Sequence, residues 1–158
     1  MLSKIISGGQ TGADIAGIDA AIAHDLEYGG TLPRGRKNEV HQVPIKYDKF
    51  IALSRGGYPM RTKQNIKDSD GTVIFYRNNL SGGSKLTSKY VNKYGKFKLL
   101  IRVDKYTIET AVSDIVNWIE KNKILVLNVA GSSASRDSKI YAYVFDVISK
   151  VIDRSVII

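Results

Sequence analysis

Short apolar runs alternate with longer amphipathic stretches along the chain, a pattern that predicts strands feeding into helices. Leu2 to Ile6 reads as a strand, and Ile15 to His24 as a helix with Ile15, Ile18 and Ile22 at helical spacing. Asp25 to Gly30 leads into a second short strand or extended segment, followed by an irregular, basic loop from Thr31 to Asp48. Arg61 to Lys67 predicts a short helix ending near Ser69-Asp70-Gly71, and Thr72 to Tyr76 a buried strand rich in β-branched and aromatic residues. A helix through Lys93 and a strand over Lys98 to Val103 come next. Thr107 caps a helix whose apolar stripe is Ile108, Ala111, Val112, Ile115 and Ile119, with Trp118 at its edge as core or subunit contact. Ile124 to Val129 is the last strand, and from Ser138 a core-facing helix carries Tyr141, Val144, Phe145, Ile148, Val151 and Ile152. Strands alternating with helices predict an α/β fold, a three-layer sandwich with a mainly parallel sheet and helices on both faces, in one domain over residues 1–158. The closing Ser155-Val156-Ile157-Ile158 is apolar and suggests an added edge strand or a subunit contact.

Three of the predicted strands end in turns of small residues. Ser7-Gly8-Gly9-Gln10-Thr11-Gly12-Ala13-Asp14 stands where the first strand passes into the first helix. Glycines there let the backbone approach an anion, and the first N–H groups of a helix favour negative charge. Gln10 and Thr11 add side chains able to bond phosphate or hydroxyl oxygens, and Asp14 suits either the helix dipole or a ribose hydroxyl or metal. Ser81-Gly82-Gly83-Ser84-Lys85-Leu86-Thr87 repeats the arrangement after Tyr76, and Asn128 to Ser133, with Gly131, forms a third such turn. In a parallel sheet these turns share the carboxyl edge, so they should converge on one crevice. The spacing matches neither a Walker A loop nor a complete dinucleotide fingerprint.

Arg34 and Arg36 in the basic loop are candidates for a phosphate contact. Asp68 and Asp70, two residues apart, suit acid and base work or a magnesium ion, and equally suit a turn.

Composition narrows the function classes. The net charge of +9 would favour anionic partners, yet Lys85, Lys89 and Lys93 recur four apart as a solvated helix stripe, and no nucleic-acid motif accompanies them. Nucleic acid is therefore not the expected partner, and an anionic metabolite is. The absence of cysteine removes disulfides, thiolate ligands and thiol nucleophiles. No apolar run approaches the roughly 20 residues of a membrane span, so a cytoplasmic protein is expected.

Four stretches together carry a resemblance: Ser7 to Asp14; Arg61-Thr62 with Asn65 and Asp68 to Thr72; Gly82-Gly83-Ser84 with Leu86-Thr87; and Leu127 to Gly131 with Ile140-Tyr141. They resemble the family named for molybdenum-cofactor carriage, a circularly permuted YpsA-related branch of the Rossmann-like SLOG superfamily, over about Ile5 to Tyr141. The resemblance implies a Rossmann-like sandwich that binds a nucleotide, a nucleotide-derived signal or the pterin nucleotide of molybdenum cofactor. It also implies phosphate contacts from Gly8, Gly9, Gln10, Thr11 and Gly12, further contacts from Gly82, Gly83 and Ser84, a third wall from Asn128 and Gly131, and a homo-oligomer. Ile15 stands where the family often has arginine, which removes one anion contact. Related hydrolases of the cytokinin-activating type carry a catalytic glutamate where this chain has Lys89, and a lysine cannot act as that carboxylate. The resulting expectation is a binding protein without catalytic residues. A nucleotide or N-glycoside hydrolase using Asp14, Asp68 or Asp70, and a sensor or sequestering module for a nucleotide second messenger, stand as alternatives.

Overall fold

The computed structural model describes residues 1–155. In chain order it contains β1 Lys4–Ile6, α1 Ala13–Ala23, β2 Glu27–Leu32, a 3-10 turn at Arg34–Arg36, β3 Phe50–Ala52, α2 Tyr58–Asp68, β4 Gly71–Tyr76, α3 Gly82–Lys93, β5 Phe97–Arg102, α4 Ile108–Asn122, β6 Val126–Gly131 and α5 Ile140–Ser155. The six strands form one parallel sheet in the order β3-β2-β1-β6-β4-β5. Helices α1, α4 and α5 pack together on one face, and α2 and α3 on the other. This is the predicted α/β sandwich of Rossmann-like form.

Burial explains the elements. In β4 every residue from Gly71 to Phe75 is buried, because helices cover both faces and a continuous apolar run is needed where a half-exposed strand would alternate. Helix α1 is buried from Ala13 to Ala21 except at Ile15 and Asp19, so small residues dominate it; a β-carbon on Gly17 would press into the Val129 side chain. The Thr107 hydroxyl caps α4 by accepting from the Thr110 N–H at 3.1 Å, as expected, and Lys123 in left-handed conformation ends it. Trp118 is partly buried against the core, close to Gly71. The Leu2 N–H bonds to the Ser155 carbonyl at 3.3 Å.

Three details differ from the sequence reading. β3 adds an edge strand at Phe50–Ala52, just after the basic loop, where no element was predicted. Ile22 is 44% exposed and Tyr141 38% exposed, although both fall on apolar stripes. Tyr141 leaves the core because its hydroxyl reaches the Asp19 carboxylate at 2.5 Å. Of the apolar terminal stretch, Ser155 is the buried last residue of α5, and residues 156–158 lie outside the described part.

Candidate functional site

The chain builds β2 and β3 outward from β1, crosses the sheet to β4 and β5, and returns to place β6 in the middle. The carboxyl ends of β1, β6 and β4 therefore open a crevice between connections that leave in opposite directions, the usual ligand position in such sheets. A cleft of about 380 Å³ lies there, lined by Gly8, Gln10 and Asp14, by Tyr58, Arg61 and Thr62, by Gly83, Ser84 and Thr87, and by Asn128 and Gly131 to Ser133 with Ser135 and Arg136. The three small-residue turns converge, and Gly8, Gln10, Asp14, Gly83, Ser84, Asn128 and Gly131 all reach the cleft.

The first turn is closed on itself. The Gly9 N–H bonds to the Ser7 hydroxyl at 3.2 Å, the Gln10 N–H to the Asp14 carboxylate at 3.2 Å, the Thr11 N–H to the Gln10 side-chain oxygen at 3.0 Å, and the Ala13 N–H to the Ser132 carbonyl at 3.1 Å. Three of the N–H groups expected to face a phosphate, those of Gly9, Gln10 and Thr11, are thus engaged within the protein. Gly9 and Gly12 adopt φ of 70° and 85°, and β-carbons on them would meet Leu32 and the Ser132–Ala134 backbone respectively. Both serve close packing behind the cleft.

Glu39, from the β2–β3 connection, locks this turn to the segment after β6. Its carboxylate accepts from the Thr11 hydroxyl and from Ser135 through the N–H at 3.1 Å and the hydroxyl at 2.5 Å, while its own N–H donates to the Gln10 side-chain oxygen at 2.9 Å. Burial opposes ionisation of Glu39, but these donors outweigh it and hold the carboxyl below its ordinary value.

Asp14 and Arg61 form the buried charge pair of the cleft, 3.7 Å apart. The Arg61 guanidinium also donates to the Gly8 carbonyl at 2.5 Å and lies 5.2 Å from the centre of the Tyr58 ring. Burial pushes the Asp14 carboxyl up to about 6 against the pull of Arg61 and of the Gln10 and Gly8 N–H groups. Burial likewise lowers Arg61, opposed by Asp14. Desolvation outweighs the mutual attraction at this separation.

The second turn has the opposite character. Helix α3 starts at Gly82 with no side-chain cap, so the N–H groups of its first turn are available to an anion. The Arg136 guanidinium lies beside them where a β-carbon on Gly82 would point, and donates to the Ser81 hydroxyl at 3.1 Å. Arg136 pairs with no carboxylate among the described residues.

Other candidate residues lie elsewhere. Asp68 and Asp70 precede β4 and so stand at the amino edge of the sheet, opposite the cleft. The Asp70 carboxylate accepts from the N–H groups of Leu125 and Val126 at 2.9 and 2.8 Å, joining the start of β6 to that of β4. Asp70→Ala is expected to lower unfolding free energy in urea by about 2 kcal/mol, the scale for charge-assisted bonds, with ligand binding unchanged. The Arg36 guanidinium donates to the carbonyls of Val43, Pro44 and Tyr47 and shapes its own loop. Arg34 faces a separate recess.

Arg61, Glu39, Tyr58 and Arg136 are the site residues that charge and periodicity did not single out. Asn65, on the same face of α2, is occupied on both sides of its amide by the Thr31 backbone, at 2.8 and 3.0 Å. Among the described residues no group of three or more His, Cys, Asp or Glu could hold a metal, and no helix is long and apolar enough to cross a membrane.

The comparisons agree with this architecture. The chain is similar to the crystal structure of "Putative molybdenum carrier protein" from Syntrophus aciditrophicus SB, at 42% identity and a TM-score of 0.93 over 96% of this chain and 95% of that one. None of the curated proteins matches. The family model described as "Circularly permutated YpsA SLOG family" matches residues 5–152. With nearly its whole length covered, the chain belongs to the circularly permutated YpsA SLOG family.

Proposed function

We propose that the protein binds a phosphorylated, nucleotide-like small molecule, with the phosphate at the amino end of α3. The observation that carries this reading is the uncapped first turn of α3 beside Arg136, a guanidinium without a carboxylate partner among the described residues, inside a cleft at the crossover of the sheet. Gly83 and Ser84 supply N–H groups to the phosphate and Arg136 a charged fork. Asn128 and Asp14, deeper in the cleft, read hydroxyl or amino groups of the remainder.

A molybdenum pterin nucleotide, which the name of the similar structure suggests, fits through its phosphate end. Its metal would be cargo; the donor set described here offers no thiolate to hold it. A cytoplasmic location and a homo-oligomer fit such a carrier and belong to the same proposal. A hydrolytic reading narrows to Asp14, which lines the cleft and whose carboxyl burial pushes up to about 6.

The test pairs mass spectrometry of small molecules released from the denatured protein with calorimetric titration of AMP and GMP. Arg136→Ala should weaken binding roughly 10- to 100-fold, the equivalent of one charge-assisted hydrogen bond. Gly83→Asp should abolish it without unfolding the protein, because a β-carbon there meets nothing within 4 Å. Unchanged binding in both variants would overturn the reading. Turnover of the bound nucleotide that disappears in Asp14→Asn would establish the hydrolytic alternative.

A further inference from the structure

Next to the cleft, across the Tyr58 ring, lies a second recess of about 420 Å³. Its walls are Pro33, Arg34, Gly35 and Lys37 from the β2–β3 connection, facing Gly56 and Gly57 ahead of α2, and Tyr58 lines both spaces. The Arg34 N–H bonds to the Gly56 carbonyl at 3.0 Å and ties the two walls together. A β-carbon on Gly35 or Gly57 would meet nothing within 4 Å, so the recess is open there.

The two spaces differ in charge. In the cleft Arg61 and Arg136 face Asp14 and Glu39, whereas the recess is lined by Arg34 and Lys37 and by no acid. Both cations are exposed and pair with no carboxylate among the described residues. Arg36, between them in sequence, is taken up by loop carbonyls. A concave surface with two uncompensated cations attracts an anion. Tyr58, which lines both spaces, is 40% exposed and offers an aromatic surface to whatever passes between them.

We propose that the ligand continues past its first phosphate, crosses Tyr58 and places a second phosphate between Arg34 and Lys37, which makes it a dinucleotide-sized molecule with two phosphate groups. The cleft alone has room for a mononucleotide, and cleft and recess together have room for a ligand about twice that size. The inference rests on the reading that the first phosphate lies at α3.

The experiment titrates the full chain with AMP and GMP and with their 5′-phosphorylated dinucleotides pApA and pGpG, comparing wild type, Arg34→Gln/Lys37→Gln and Arg136→Ala. In the wild type a dinucleotide should bind at least about 10-fold more tightly than its mononucleotide, since its second phosphate binds from a high effective concentration. The double variant should lose that advantage and keep mononucleotide affinity, and Arg136→Ala should weaken both ligands. An equal affinity for both sizes, or an advantage that survives the double variant, overturns the two-phosphate ligand while Arg136-dependent mononucleotide binding keeps the first reading intact. Failure of every probe to bind the wild type overturns both.

Discussion

Arg61→Ala is expected to destabilise the protein by about 3–5 kcal/mol at pH 8, the range for removing one partner of a buried ion pair. The variant leaves the Asp14 carboxylate buried without its cation and the Gly8 carbonyl without its donor. The loss should shrink at pH 5, because an unpaired buried carboxyl takes up a proton. In the wild type the folded-state value for Asp14 is about 6, above the ordinary 3.8, so the native state binds the proton more tightly than the unfolded chain does. Stability from this group is therefore fully present below about pH 4 and is lost as pH rises through about 6, by at most about 3 kcal/mol. Asp14→Asn removes that slope. Urea unfolding of the three proteins at pH 5 and pH 8 measures each term, and an Arg61→Ala loss that is the same at both values would show that Asp14 does not titrate in response to Arg61.

Gly131→Ala is expected to cost about 3 kcal/mol or more, the scale of combined backbone strain and overpacking. Gly131 ends β6 with φ at 157°, and a β-carbon there would overlap the Phe75 backbone and press on Ala13. The residue lets the middle strand, β4 and the head of α1 meet in one place, so the added methyl would spread the walls of the cleft. For a domain of this size the midpoint of thermal unfolding should fall by roughly 10 °C. Gly83→Ala is the control, with open space around the new methyl and a change within about 1 kcal/mol. Equal midpoints for the two variants would remove the special role of Gly131.

The strands that pair on both sides were legible because burial on two faces demands an apolar run, as at Thr72 to Tyr76. β3 was not: it is three residues long, sits at the sheet edge and leaves Ile51 73% exposed, so it carries no such run. The convergence of the three turns could be read from their positions after strands. The distribution of free donors among them could not, because it depends on where Ser7, Gln10 and Asp14 direct their oxygens. Arg61-Thr62 stood among the stretches that carry the family resemblance, but Arg61 reaches its partner at Gly8 over 53 residues, so its pairing could not be read locally. The placement of Asp68 and Asp70 was available in advance, since residues that precede a parallel strand stand at the edge away from the ligand.

The central position of β6 also governs how the chain is made. β1 and β4 do not pair with each other; each pairs with β6, with Lys4 opposite Val126 and Gly71 opposite Leu127. Without β6 the remaining strands fall into two groups, β3-β2-β1 and β4-β5, each with an open edge where β6 belongs. Domains that close through such distant pairings fold slowly, and their unpaired edges are exposed meanwhile. Synthesis therefore delivers the keystone strand after all of the strands it joins, and the cleft, whose third wall begins at Asn128, cannot close before it.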